Sequence, residues 1–268
     1  MKVCILNIGY ELLQGRVINT NASYLARKLT LLGHDVQAQL SVGDREEDIH
    51  RGLKACIELF DSELIITTGG LGTTPDDQTI PAIATFFGLE LVINEEALRE
   101  VDEKYRRASL SLTQDRLKLA KLPRNAAPIP NPVGIAPGMW LETSYGGKRI
   151  IVVSLPGVPK EMEAMFEHYV EPRIRGSKTI VEAEIEIGIR ESDATPLIRQ
   201  IMKKFPSVYV KSHPLGHELE NPSIRLYVAV YDTDSARAKE VCHEVINEVL
   251  RLFASHSPTI VKECTSPT

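Results

Sequence analysis

Thr67-Thr68-Gly69-Gly70-Leu71-Gly72-Thr73-Thr74-Pro75-Asp76-Asp77 is the stretch on which the fold turns. It follows a short apolar, β-branched run, Glu63 to Thr68, and leads into a helical one, so it reads as strand, glycine loop, acidic pair, helix. Three glycines remove side chains from the backbone, which lets main-chain N–H groups approach an anion and lets the next helix face it with its positive end. The alternative is a tight turn into a helix capped by aspartate. Asp76 and Asp77 beside a phosphate make sense if a divalent cation lies between them, or if they bind hydroxyls or ring N–H groups.

Outward from this loop the first half alternates in kind. Val3 to Ile8 reads as a strand, Asn21 to Leu32 as a helix stopped by Gly33, and Val36 to Val42 as a strand. Arg45 to Leu59 reads as a helix, and Pro81 fixes a further helix that opens near Gln78 to Ile80 and ends at Phe87. Such alternation with short connections predicts a three-layer α/β domain, a doubly wound and mostly parallel sheet with helices on both faces. Glu95 to Leu122 reads as a helical insert broken near Ser109 to Thr113, and Pro123 to Gly138 as extended turns. Met139 to Glu142 and Arg149 to Ser154 read as a hairpin, followed by a helix to about Tyr169 and a linker at Pro172 to Gly176.

Beyond the linker the order becomes strand Ile180 to Ile189, helix Asp193 to Phe205, strands Val208 to Val210 and Ile224 to Tyr231, and helix Ser235 to Phe253. This βαββα order predicts a smaller α+β domain, ferredoxin-like or KH-like, over 177–258, after a first domain over 1–172. The tail from Ser255 is expected to be loosely held.

At 268 residues the chain suits two domains, each with its own core. Its net charge of −5, with scattered basic residues, argues against a general nucleic-acid binder. No apolar run nears the ~18 residues of a membrane span, so a cytoplasmic location without membrane partners is expected. Cys4, Cys56, Cys242 and Cys264 lack metal-type spacing, and with three of them in or next to apolar segments they read as structural or incidental cysteines. His213 and His217 are separated by Pro214 and Gly216, which opposes a shared helical metal face.

In an open α/β sheet, ligands bind beyond the carboxyl ends of the strands, where the glycine loop stands. Gly9 to Gly15 leaves the first strand at the same edge and brings Glu11. Asn19-Thr20-Asn21 follows, with Asn21 also a candidate helix cap, and Asp44 follows the second strand, where Glu47 would complete a capping box. Asn131 to Gly138 and Leu155-Pro156-Gly157-Val158-Pro159-Lys160-Glu161 are proline-fixed and glycine-punctuated, suited either to pocket walls or to chain reversal.

Taken in order and spacing, these six segments resemble the CinA family, whose amino-terminal domain is similar to the MoaB/Mog molybdopterin-binding fold. The resemblance covers residues 1–172, and the βαββα region resembles the family's small middle domain. It implies a pocket at the strand ends with Asp44 and Asp77 facing the ligand, and hydrolysis of the ADP-ribose pyrophosphate bond with a divalent metal such as Mg²⁺. Two residues depart from the pattern: Tyr10 where the family has threonine, and Thr73 where it has proline. The deamidase domain of many CinA proteins is not part of the resemblance, so that activity is not expected. The expected catalytic carboxylates are Asp44, Asp77 and Glu11, with Asp44 or Glu11 as the base, and the expected metal ligands are Asp76 and Asp77. Ligand contacts are expected from Gly9, Asn19, Thr68, Gly69, Gly70, Gly72, Thr73, Asn131, Gly134, Pro156 and Gly157. The competing expectation is a non-catalytic protein that binds a molybdopterin or nucleotide. A third, an interaction module in which the small domain contacts RNA or protein, lacks a Gly-x-x-Gly clamp or a basic aromatic strand face in that domain. A homo-oligomer is expected in either of the first two cases.

Overall fold

The computed structural model describes every residue except 175, 177, 178, 218, 267 and 268. The chain divides into two compact units, one of residues 1–30 and 34–175, the other of 31–33 and 176–268.

The first unit contains strands β1 (Lys2–Ile8), β2 (Asp35–Val42), β3 (Leu64–Thr68), β4 (Leu91–Ile93), β5 (Lys121–Pro123), β6 (Ala127–Ile129), β7 (Gly138–Tyr145) and β8 (Lys148–Leu155). Its helices are α1 (Tyr10–Leu13), α2 (Thr20–Leu31), α3 (Glu46–Lys54), α4 (Thr79–Phe86), α5 (Glu95–Arg107), α6 (Gln114–Leu117), α7 (Pro159–Met165) and α8 (Glu171–Ile174). Six strands form one sheet in the order β2-β1-β3-β8-β7-β6. The first four are mutually parallel, and β7 runs antiparallel to both β8 and β6.

Alternation along each strand sets the two faces. Cys4, Leu6 and Ile8 of β1, Ile65 of β3, and Ile150 and Val152 of β8 share a buried cluster with Ile49 and Leu53 of α3 and Ile83 of α4. The opposite-parity residues Val3, Ile5, Leu64, Ile66, Val153 and Leu155 are also buried, which is the two-sided apolar burial expected of a parallel sheet. Each of the larger side chains among these contributes about 1.5–3 kcal/mol when fully buried. The doubly wound mixed sheet agrees with the sequence reading.

Registry fixes where the loops emerge. Ile8 pairs with Val42, Asn7 with Thr68, and Thr68 with Leu155, so the four parallel strands end nearly level. The chain leaves β1 to form β2 on one side and crosses to β3 on the other, which makes the gap between β1 and β3 a switch point where α/β sheets bind ligands.

Several local expectations are corrected. The helix from Arg45 runs from Glu46 and continues as a π turn over Ala55–Leu59, with Phe60 N–H donating five residues back to Ala55 O at 3.1 Å. A second π turn, Phe166–Val170, carries α7 into α8, so the expected linker at Pro172 to Gly176 is helical as far as Ile174. Pro172 falls in the first turn after the wide turn, where a missing N–H is tolerated. The insert breaks where expected, with Ser109 at φ 56°, but its end forms β5, paired with β4 in a small antiparallel ladder. Within the stretch expected to be turns, Ala127–Ile129 forms the edge strand β6. The β7–β8 hairpin closes on Gly146 and Gly147, both at positive φ as a tight two-residue turn requires.

The second unit adds β9 (Thr179–Ile187), α9 (Glu191–Lys204), β10 (Val208–Pro214), β11 (Ile224–Asp232), α10 (Ser235–Leu252) and β12 (Thr259–Thr265). Its sheet order, β10-β11-β9-β12, is antiparallel throughout, the split βαββαβ arrangement of ferredoxin-like domains. Val181, Ala183, Ile185 and Ile187 pack with Ala238, Cys242, Val245 and Val249 of α10. The tail expected to be loose is thus the fourth strand, and it is fastened by a Cys242–Cys264 disulfide. Cys4 and Cys56 form a second disulfide, between β1 and the π turn after α3. The cysteines are structural as expected, but as disulfides rather than thiols.

Candidate functional site at the strand ends

A cleft of about 550 Å³ opens beyond the level ends of β1, β2, β3 and β8. Five loops and the helical insert line it.

From β3 comes the glycine loop. Gly69 has φ 96°, and a Cβ there would lie 2.2 Å from Ile8 O on the neighbouring strand. Gly70 has φ 67°, and its Cβ would meet Thr79 Oγ1 at 2.2 Å. The glycines therefore hold the loop flat against β1 and the start of α4, where Thr79 Oγ1 donates to Gly69 O at 2.8 Å. Gly69 N–H donates to Leu155 O at 3.0 Å, which removes it from the expected anion-binding set. Among the described residues, no protein acceptor takes the N–H groups of Gly70, Leu71, Gly72 or Thr73, all in the cleft wall. Four such donors in sequence are the kind of backbone run from which anion-binding concavities are built.

Asp77 closes this loop: its Oδ2 accepts from Thr74 N at 2.8 Å and from Thr74 Oγ1 at 2.5 Å. Asp76 is exposed beside it and is held below the usual carboxylate range, first by a hydrogen bond with the Thr74 side chain. Lys118 Nζ donates to Thr74 O at 2.9 Å and pins the loop's far side.

From β2 comes Asp44. The expected capping box does not form, since no side chain caps α3; instead Asp44 Oδ2 accepts from Tyr10 N at 3.0 Å. Burial raises the Asp44 pKa above the ordinary aspartate value, and the charges of Glu11 and Asp76 raise it further, against the lowering effect of the Tyr10 N–H. Tyr10 thus meets Asp44 through its backbone while its side chain is exposed, so the exchange for threonine leaves that bond intact. Glu11 folds over Gly9, where a Cβ would lie 2.4 Å from its Oε1.

From β8 come Pro156 and Gly157, also in the wall. Opposite them is the loop around Gly134, organised by Asn131. Asn131 Nδ2 donates to Ala136 O at 2.9 Å and Glu161 Oε2 at 2.7 Å, while its Oδ1 accepts from Val133 N and Gly134 N. Its carbonyl accepts from Lys104 Nζ at 2.6 Å, and its N–H donates to Glu100, which ties the loop to α5.

Over residues 4–176 the chain matches the model of the probable molybdopterin-binding domain family. The chain belongs to this family. A protein of Pyrobaculum calidifontis is 43% identical over 258 residues, covering 94% of this chain and 95% of its own. One of Pyrobaculum aerophilum is 45% identical over 248 residues, covering 91% and 90%. Among solved structures, the protein CinA from Thermoplasma acidophilum is 40% identical with a TM-score of 0.58, over 65% of this chain and 97% of that one. The CinA and MoaB/Mog resemblance read from the motifs therefore stands.

Within this molybdopterin-binding family domain, most of the expected site residues converge. Gly9, Glu11, Asp44, Gly69, Gly70, Gly72, Thr73, Asp76, Asp77, Gly134, Pro156 and Gly157 all line the cleft. Three do not. Asn131 is buried and shapes the loop from behind, and Thr68 is buried with its hydroxyl donating to Asn7 Oδ1 at 3.0 Å. Asn19 caps α2, its Oδ1 accepting from Ala22 N at 3.0 Å, so the cap expected of Asn21 belongs to Asn19. Asn19 and Thr68 instead line a smaller annex of about 90 Å³ that shares Ile8, Glu11 and Gly157 with the cleft.

The cleft also holds residues that the site reading passed over: Glu161, Leu71, Tyr105, Leu119 and Ile135. Glu161 carries a signal, a carboxylate in the first turn of the helix that follows a strand-end glycine. Tyr105 and Leu119 carry none, for they reach the site from the insert and pack with Val101 as a small apolar cluster. Among the described residues, no three histidine, cysteine or carboxylate groups stand together as a metal cage, and no helix is long and apolar enough to cross a membrane.

Proposed function

We propose that the cleft binds a nucleotide through its phosphates and hydrolyses a pyrophosphate bond of the ADP-ribose type with the help of a divalent cation. The observation that carries this is the run of four unengaged N–H groups, Gly70 to Thr73, in the same wall as Asp76 and Asp77 and across from Asp44. Thr73 strengthens it. Where the family has proline, threonine adds a fourth donor to the array.

Mg²⁺ fits these residues, since it needs only one or two carboxylates beside phosphate oxygens and water rather than a protein cage. Asp76, whose pKa is lowered, and the Asp77 oxygen not engaged by Thr74 would hold it. Bound there, it would withdraw charge from the phosphoryl group and acidify water. The protein's own part is to hold the phosphates on the loop donors, to orient them by Gly134 and Gly157, and to take a proton at Asp44. Its raised pKa suits Asp44 to act as base. The oxygen of water joins phosphorus, the bridging P–O bond breaks, and AMP and ribose 5-phosphate leave as Asp44 receives the proton.

Incubation with ADP-ribose and a panel of divalent metals tests this by AMP release, and no release with any metal refutes it. Asp77→Asn should abolish release while leaving the fold intact, because asparagine retains an acceptor for Thr74 N.

A second reading, a non-catalytic molybdopterin or nucleotide binder, is favoured by the engagement of Asp77 with its own loop, which gives that carboxylate a structural task. Calorimetry separates the two: tight pterin binding without turnover supports the second. Assembly into a homo-oligomer is proposed in either case and is read by sedimentation.

A further inference from the structure

The two disulfides hold unlike elements. Cys4 stands on β1, which pairs with β2 on one side and β3 on the other and is buried from Val3 to Ile8. Opening that bridge frees no strand. Cys264 stands on β12, an edge strand in which only Cys264 is buried and only Lys262 half-buried.

Little besides the bridge fastens β12. Its register against β9 breaks twice: Val261 is an extra residue between the pairs Ile260–Ile185 and Lys262–Glu184, and Glu263 and Cys264 stand where β9 supplies only Ala183. Bulges of this kind leave residues out of the ladder and re-aim side chains, and the second one accompanies the inward turn of Cys264 to Cys242 on α10. Ile260 and Val261 are exposed, so they add little apolar burial. The other tie is Lys262, whose Nζ donates to Oε2 of the buried Glu182 at 2.9 Å. That carboxylate also accepts from Tyr227 Oη at 2.5 Å, so it keeps a donor when Lys262 leaves. Upstream the chain is anchored, for Phe253 is buried in the core and Gly188 N–H donates to His256 O at 3.2 Å. The segment free to move therefore begins at Ser257.

We propose that the Cys242–Cys264 disulfide is a redox latch: a dithiol reductant opens it, β12 leaves the sheet, and the edge of β9 from Glu182 to Glu186 is uncovered. One thiolate of the dithiol attacks Sγ of Cys264, on the edge strand; the S–S bond breaks and its electron pair goes to Cys242 Sγ, which takes up a proton. The second thiolate attacks the mixed disulfide and releases Cys264, which is protonated in turn. The protein bridge is thereby reduced to two thiols, and the dithiol is oxidised to a disulfide. The bare edge of β9 then presents unpaired N–H and C=O groups to which an extended segment can add.

Hydrogen exchange read by mass spectrometry tests this on the oxidised wild type, the wild type in dithiothreitol, the double variant Cys242→Ser with Cys264→Ser, and oxidised Lys262→Met. The expected result is that β12 and β9 exchange roughly tenfold faster or more in the reduced wild type and in the double variant, while β10 keeps its protection. Reoxidation of the wild type should restore β12. Equal exchange of β12 in the two redox states of the wild type overturns the latch. Joint loss of protection in β12 and β10 overturns it too, because the bridge is then a staple of the whole unit. Release of β12 in oxidised Lys262→Met assigns the hold to the ion pair, with the same consequence. Alkylation of Cys242 and Cys264 by iodoacetamide before any reductant is added refutes the bridge itself.

Discussion

Replacing Gly69 with alanine separates the cost of backbone conformation from the cost of contact. Gly69 and Gly147 both have positive φ, 96° and 81°. A Cβ at Gly147 would meet nothing within 4 Å, whereas at Gly69 it would lie 2.2 Å from the backbone oxygen of Ile8. The conformational part, about 1–2 kcal/mol, applies to both. Only Gly69 adds a packing part of about 1–3 kcal/mol, because β1 must move away from the loop. Gly147→Ala should therefore lose about 1–2 kcal/mol and Gly69→Ala about 2–5. At roughly 2–4 °C per kcal/mol for a unit of this size, the melting shifts are roughly 2–8 °C and 4–20 °C. The chain has a single tryptophan, Trp140 on β7 of the first unit, so its fluorescence in a urea titration follows that unit alone. Nucleotide binding should be lost in Gly69→Ala and kept in Gly147→Ala, since only the first displaces the loop donors. Equal stability of the two variants would refute the claim that contact with β1 fixes the loop.

Other expectations concern single groups. Asp44→Asn should lower kcat/KM by ~10²–10⁴, and the acid limb of the wild-type pH profile should be shifted upward from the ordinary aspartate value. Because burial raises the folded-state pKa of Asp44, its ionisation disfavours the fold as pH rises through that value, so the variant should be at least as stable as wild type at neutral pH by urea titration. Asn131→Ala removes four side-chain hydrogen bonds and should cost about 2–4 kcal/mol, with weakened ADP binding in calorimetry. The Cys242–Cys264 bridge spans 22 positions and Cys4–Cys56 spans 52, so serine replacements should cost about 3 and about 4 kcal/mol by loss of loop closure. Differential scanning calorimetry reads both.

What the sequence conveyed well was whatever repeats. The apolar periods of β1, β3, β8, α2 and α10 each run for five residues or more, and their alternation was enough to place the glycine loop at a strand end. What it concealed was short or depended on a distant partner. β4, β5 and β6 are three residues each, two of them carrying proline, and offer no period. β12 is largely exposed and irregular in register, so its polar sequence resembles a tail. Gaps of 52 and 22 residues gave no hint of which cysteines meet. Within the site, a strand-end carboxylate such as Asp44 could be placed from the chain, but whether it capped a helix or met Tyr10 could not. Asn131 shows the same ambiguity in an amide, whose donors and acceptor serve a loop as readily as a ligand.

Each disulfide closes within its own unit. A protease cut at the junction would therefore leave no disulfide between the two fragments, and each would carry its own staple. The same partition means that either staple can be removed without opening a covalent link between the two units.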